Sequence, residues 1–456
     1  MEKPIENRMG TMPVGRLILR MSAPMMASML FQALYNIVDS VIVAMLNQDA
    51  LNAVSLAFPL QILCIAFASG TGVGMSALLS RALGAKDQKT ADKVANTGIF
   101  VFICTAVVFC VIGLTVPEPF YRFQTANEQI VSYGRDYLSV ILSVSFFLFG
   151  QMCFERLLQS TGRTNLAMIP QIVGASLNMI LDPIMVLGLF GCPKMEVKGA
   201  AIATVIGQFV ATVIGLVLNV KKNKEINIDF KQVRPHKETI LTIYRIGLPS
   251  IFMQAISSVM NFGYNKILIG FTEAATAAFG AYYKIQSFIF MPIFGINNAY
   301  IPIMSYNYGA RKPERVKKTL KITLAVSITI MSIGCLAFEL FPAALISVFS
   351  PSEEMLQVGV VAFRTIGSHF PLAGFCIIAA STCQALGKPT YSLINSICRQ
   401  LVILLPAAYL LSLTGKLNLV WLSFPIAEVF ALTMMIFFLK KTLKVLNYDE
   451  PEKIRA

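Results

Sequence analysis

Apolar stretches of about twenty residues alternate with short polar segments along the whole chain, the length a helix needs to cross a bilayer. A transmembrane β-barrel would instead show alternating segments of about ten residues, which is not the rhythm here. The pattern predicts twelve helices, over 17–46, 51–80, 93–116, 133–158, 164–190, 199–220, 240–270, 275–305, 318–341, 355–385, 390–413 and 418–440. The chain therefore reads as an all-α polytopic membrane protein. Composition agrees, with 56% hydrophobic and 14% charged residues, against about 25% charged in soluble domains. The polar start of the chain is not a signal peptide, and the first apolar run serves as the first span.

The polar segments alternate in charge. Basic residues gather over 3–20, 81–93, at Arg156 and Arg163, over 221–237, over 311–321, at Lys388 and over 440–455. The intervening loops hold only Arg122, Arg135, Lys194, Lys198 and Lys416. The positive-inside rule places the first set in the cytoplasm, so both termini are expected inside a cell membrane. The net charge of +14 is then a matter of topology, and no nucleic-acid partner is expected. The nine Cys are scattered as small hydrophobes and the two His are too few for a metal site. No metal, cofactor or catalytic constellation is expected. Gly70, Gly72 and Gly74 lack the Lys-Ser/Thr of a phosphate loop and no ATPase motif appears, so energy is expected from an ion gradient or an external partner.

The chain repeats itself 225 residues on. Arg20 and Pro24 return as Arg245 and Pro249, Gly70 as Gly295, Ser80 as Ser305, Gly84 as Gly309 and Gln159 as Gln384. These matches fall at helix ends and basic loops. Each half holds six spans, an even number, so both enter from the same side and the repeat is parallel, with a pseudo-twofold along the membrane normal. The expected units are a lobe over 1–220, a cytoplasmic connector over 221–239 and a second lobe over 240–456. Substrate paths in such proteins run between the halves.

An ionisable residue inside a span is costly and marks function by default. Asp39 lies in the first span, and Gln32, Tyr35 and Asn36 share its helical face. Pro24, earlier on that helix, cannot donate an i→i−4 bond and is a candidate hinge. The fifth span carries Asn178 and Asp182, one turn apart, and Pro183 is expected to loosen the backbone at Asp182. Both spans run outward, so the two acids sit at similar depth. Two carboxylates close together in a low dielectric do not both ionise easily, so the pair would take a proton from outside and release it inside. The same oxygens suit Na⁺. A fixed hydrogen-bonded lock between the two helices is the plainer alternative. Thr204 in the sixth span adds a hydroxyl.

The second half keeps a polar stripe (Gln254, Ser257, Asn261, Tyr264) but has Tyr264 in place of Asp39 and Ala407 in place of Asp182. Its in-span charges are mostly basic, among them Lys266, Lys284, Arg364 and Arg399. Arg399 and Glu428 fall at mid-depth and are expected to pair structurally. Tyr282, Tyr283, Phe288 and Met291, with Gln32, Asn261 and Tyr264, are candidates to line a chamber for aromatic cations.

Several segments together resemble the multidrug and toxic compound extrusion (MATE) transporters: GTGVGMSALLSRALGAKDQKTADK at the end of the second span, the first span from Pro24 to Asp39, GRTNLAM after the fourth span, and SLNMILDPIMVLG in the fifth. The resemblance implies a twelve-helix, two-lobed antiporter that exchanges cationic amphipathic drugs for H⁺ or Na⁺. In the proton-coupled bacterial branch an Asp on the first helix and an Asn-x-x-x-Asp on the fifth carry the ion, which here fall on Asp39, Asn178 and Asp182, with Thr204 a looser match. A bend at the first-helix Pro, here Pro24, accompanies protonation in that branch. The fourth span departs from the pattern, with Gln151 as its nearest amide, which leaves Na⁺ open beside H⁺. A monomer among bilayer lipids is expected. The alternative of the same superfamily is a flippase of lipid-linked precursors, which would need a strongly basic cavity.

Overall fold

The computed structural model describes residues 7–446, so both chain ends, with Lys3, Lys453 and Arg455 of the basic face, lie outside the described residues. Among the described residues ten helices are long and apolar enough to cross a membrane, and two bent helix pairs, each counted as one span, bring the number to twelve. They are α1 (Val14–Ala44), α2 (Gln48–Gly84), α3 (Gln88–Thr115), α4 (Glu128–Ser143 and Phe146–Ser160), α5 (Thr164–Leu187), α6 (Glu196–Lys222), α7 (Lys237–Ile269), α8 (Glu273–Gly309), α9 (Pro313–Leu340), α10 (Glu353–Gly367 and Phe370–Ala385), α11 (Pro389–Ser412) and α12 (Leu417–Leu446). Sequence pattern gives α4 and α10 as single helices. Each is in fact broken, by 45° and 46°.

Local chemistry sets the helix starts, and it repeats. Asn47 caps α2 through the N–H of Ala50, and Thr272 caps α8 through that of Ala275. Asn127 caps α4 and Ser352 caps α10 in the same way. Each pair is related by the same shift of 225 residues.

The tertiary contacts repeat as well. Ser80 Oγ donates to the carbonyl of Ser160 at 2.8 Å, and Ser305 Oγ to that of Ala385 at 3.2 Å. Gly84 lies so close to the carbonyl of Tyr306 that a Cβ would overlap it, and Gly309 lies equally close to that of Arg81. Gly70 abuts Ile251 while Gly295 abuts Met26. The Gly84–Tyr306 and Gly309–Arg81 contacts are one contact made twice, as are those of Gly70 and Gly295. They are the geometric content of the pseudo-twofold.

One core fills the first lobe around Phe102, Phe109 and Phe149. Another fills the second around Tyr264, Phe279, Tyr282, Trp421 and Phe424. A third, smaller core (Met9, Leu17, Met21, Met25, Ala299, Ile303, Tyr306) joins the lobes at the end that carries the basic loops. There the short helix Arg8–Thr11 wedges between them. Asn7 Nδ2 donates to the carbonyl of Thr161 in the first lobe (3.0 Å). From the second lobe, Asn307 Nδ2 and Arg315 Nη2 donate to the carbonyl of Met9 (3.1 and 3.0 Å), and Arg315 also to that of Met12 (2.8 Å).

Two expectations are corrected here. α5 runs unbroken through Pro183, because the proline withholds only its own N–H while Gly174 and Met185 on either side pack tightly against Gly207 and Gly199 of α6. Arg156, counted from the sequence with the basic residues of the cytoplasmic face, is buried within α4. Its stem lies against Gly72, and Nη1 reaches Gln159 Oε1 (3.1 Å) and, in the other lobe, Asn298 Oδ1 (3.0 Å).

Candidate functional site

α1 and α5 lie side by side and bring Asp39 and Asp182 together. Asp182 is fully buried and Asp39 half-buried, and their carboxyl groups are close enough to interact directly. Tyr35, one turn before Asp39, stands beside both acids. Asn178, one turn before Asp182, donates its Nδ2 to Thr204 Oγ1 on α6 at 3.1 Å. The sequence therefore assembles Tyr35, Asp39, Asn178, Asp182 and Thr204 from three helices of one lobe.

The site is rich in acceptors and poor in donors. Asp39 Oδ1, both oxygens of Asp182 and Asn178 Oδ1 are buried and find no N–H or O–H among the described residues. Buried acceptors without donors are costly. A proton shared between the two carboxyls, or a small cation among the four oxygens, removes that cost. Such an arrangement can accept positive charge.

Two members escaped sequence reasoning. Tyr137 of α4 is buried next to Asp39 and Tyr35, and its hydroxyl accepts a hydrogen bond from Gln61 Nε2 of α2 at 3.0 Å. Gln151 is engaged elsewhere, donating to the buried Glu155 at 2.9 Å.

The remaining first-span residues diverge. Gln32 accepts from Gln171 Nε2 of α5 at 3.0 Å. Asn36 is exposed, about 60° round the helix from Asp39, and only its carbonyl is seen engaged, by Ser40 Oγ. α1 passes unbroken through Pro24, whose carbonyl accepts from Ser28 Oγ at 3.0 Å. The hinge candidate adjoins Met26, which meets Gly295 of the other lobe.

In the second lobe, Tyr264 and Tyr282 are fully buried. Tyr264 packs among Phe279, Trp421 and Phe424 and donates to the carbonyl of Val420 at 3.1 Å. Tyr282 packs against Phe338, Phe363 and Phe370. Both rings fill the lobe and offer no surface to a chamber. Tyr283 is half-buried with its hydroxyl near Asn261, Met291 is half-buried and Phe288 is exposed. Arg399 Nη1 donates to Glu428 Oε2 at 3.0 Å. Lys284 lies over the ring of Phe349, and Arg364 donates to the carbonyl of Glu339 (3.1 Å), so these cations do not converge on one basic cavity. Among the described residues no group of three or more His, Cys, Asp or Glu is placed to hold a metal.

The MatE family model matches the chain twice, over residues 24–184 and 249–410, which together are about seven-tenths of it. The multidrug export protein MepA of Staphylococcus haemolyticus is 25% identical over 445 residues, covering 97% of each chain. A FAD transporter of Shewanella oneidensis is 25% identical over 417 residues, covering 91% of this chain and 92% of that one. Among solved structures, a MATE in complex with MaL6 superposes with a TM-score of 0.91 at 27% identity, covering 97% of this chain and 99% of that one. A MOP superfamily transporter from Pyrococcus furiosus gives 0.91 at 27%, covering 98% and 99%.

Proposed function

The chain belongs to the MATE family of secondary-active multidrug efflux transporters, and from that premise we propose that its first lobe couples export to an inward flux of protons. It is a transporter and not an enzyme. The observation that carries the coupling reading is the meeting of Asp39 and Asp182 among buried oxygens that have no donor.

The end with the basic loops is taken as cytoplasmic by the positive-inside rule. The lobes close on each other there through Gly84, Gly309 and the Arg8–Thr11 wedge, so the conformation described corresponds to one open to the outside. An external proton neutralises the Asp39–Asp182 pair and weakens its hold on a cationic drug, which leaves. The lobes, taken as 1–220 and 240–456 joined by the 221–239 connector, then rock to open inward. The proton is lost to the cytoplasm and the next drug binds. Pro24 serves as the hinge that lets α1 bend when the pair is protonated. Gln32, Asn261, Tyr283, Phe288 and Met291 are proposed to line the chamber. Cationic amphiphiles suit an acidic first lobe and an aromatic lining.

Na⁺ would use the same oxygens. Proteoliposomes loaded with ethidium and placed under separately imposed proton and sodium gradients decide between them. Export driven by the proton gradient alone supports this reading. Export driven only by sodium overturns it.

A further inference from the structure

Glu155 of α4 is a buried acid that the mechanism above does not use. It is 5% exposed, and its hydrogen-bond partner among the described residues is Gln151 Nε2, one turn earlier, at 2.9 Å. Arg156 follows it in sequence but leaves the helix about 100° further round and turns to Gln159 and to Asn298 of α8. α4 packs against α2, α3, α5, α6 and α8. No charged group on any of these helices acts on Glu155, which leaves Arg156 of its own helix. Asp39 and Asp182 are not among its partners, so Glu155 is separate from their site.

Its place in the fold is the boundary between the lobes. α4 runs toward the basic end and stops at Ser160, less than two turns beyond Glu155. The next residue makes the bond across to Asn298. Leu158, about 60° round the helix on the other side, packs in the core that joins the lobes, with Leu17 and Met21 of α1 and Ala299 and Ile303 of α8. Glu155 is therefore flanked by two contacts that part when the basic end opens. The second lobe has no such acid. Shifted by 225 residues, Glu155 falls on Ala380 and Gln151 on Cys376. A carboxylate shut away from water without a cation is costly, and a protonated carboxyl costs far less. Closure thus favours the neutral form, and water admitted between parted lobes favours the ionised one.

We propose that Glu155 is a proton site that latches the basic end, holding a proton while the lobes are closed there and giving it to the cytoplasm when they part. On reclosing it takes a proton back from the same side, so it carries no net charge across the membrane. The site rests on the rocking-lobe reading above and adds to it a dependence of opening on cytoplasmic pH. The closed state binds one proton more, so acid favours closure and alkali favours opening, by up to about tenfold per pH unit. This opposes the Asp39–Asp182 pair, whose protonation drives the lobes toward opening inward.

The test measures spin-label distances across the basic end against pH, on the full chain in nanodiscs and without a gradient. The background variant is Asp39→Asn/Asp182→Asn, which removes the titration of the other site. There the ratio of closed to open distances is expected to rise as pH falls, by up to about tenfold per pH unit. Adding Glu155→Gln, which imitates the protonated form, is expected to hold the closed distance at every pH. Adding Glu155→Asp instead is expected to keep the pH dependence, whereas a purely structural bond to Gln151 would survive in Gln and be lost in Asp. A ratio independent of pH in the background variant overturns the latch, whether or not Glu155→Gln folds. So does a pH dependence that survives a folded Glu155→Gln, as titration of the exposed His236 at the start of α7 would give. Proton-driven export of ethidium by wild type is followed separately. Its absence counts against the coupling reading alone, because the latch is read with no gradient and with both aspartates replaced.

Discussion

Arg156 Nη1 of α4 donates to Asn298 Oδ1 of α8 at 3.0 Å, a hydrogen bond that carries a buried charge across the boundary between the lobes. Separation of the lobes at the basic end would break it. A hydrogen bond to a charged group contributes about 1.5–3 kcal/mol, or roughly tenfold or more in a two-state equilibrium. Asn298→Ala should therefore shift the population toward the inward-open state by about that factor. Spin-label distances across the basic end measure it, and the expected outcome is a larger fraction of long distances.

Gly84 and Gly309 make the same close approach from opposite lobes, each to a backbone carbonyl. Backbone cannot move aside as a side chain does, so a methyl group at either position prevents the lobes from meeting. Gly84→Ala and Gly309→Ala should impair export to similar extents and raise thiol accessibility at the basic end. A strong effect from one and none from the other would contradict the pseudo-symmetric closure.

The acids of the site were legible because a carboxylate in an apolar span is conspicuous. Asp39 and Asp182 stand out, and helical spacing links them to Tyr35 and Asn178. Tyr137 was not legible, since tyrosine is ordinary in a span and its place beside Asp39 follows only from the packing of α4 against α2 and α6. Tyr264 and Tyr282 misled for the opposite reason. They lie on polar-looking faces, but their rings turn inward to Trp421, Phe424 and Phe370, a choice that depends on large neighbours distant in sequence. Of the two broken spans, α10 carries a signal in Pro371, which cannot continue a helix through its own N–H. α4 breaks at Val144–Ser145 with neither Pro nor Gly, and nothing local announces it.

Glu428→Ala should destabilise the second lobe, because it leaves Arg399 without its partner. The cost of stranding one member of such a pair is about 3 kcal/mol. The double variant Arg399→Met/Glu428→Leu, which strands nothing, should melt close to wild type. Thermal unfolding in detergent checks both. If the single change melts like wild type, the pair bears no load in the fold.

The central claim is that Asp39 and Asp182 together accept the driving proton. Asp39→Asn keeps the size of the side chain and its capacity to hydrogen-bond to Asp182 while removing the titratable group. Membrane vesicles carrying this variant, given an outward-facing proton supply and loaded with ethidium, test it most directly. The account predicts that gradient-driven export falls to the rate of vesicles without the protein while ethidium binding persists. Export that continues at the wild-type rate, with the wild-type dependence on the proton gradient, would contradict it.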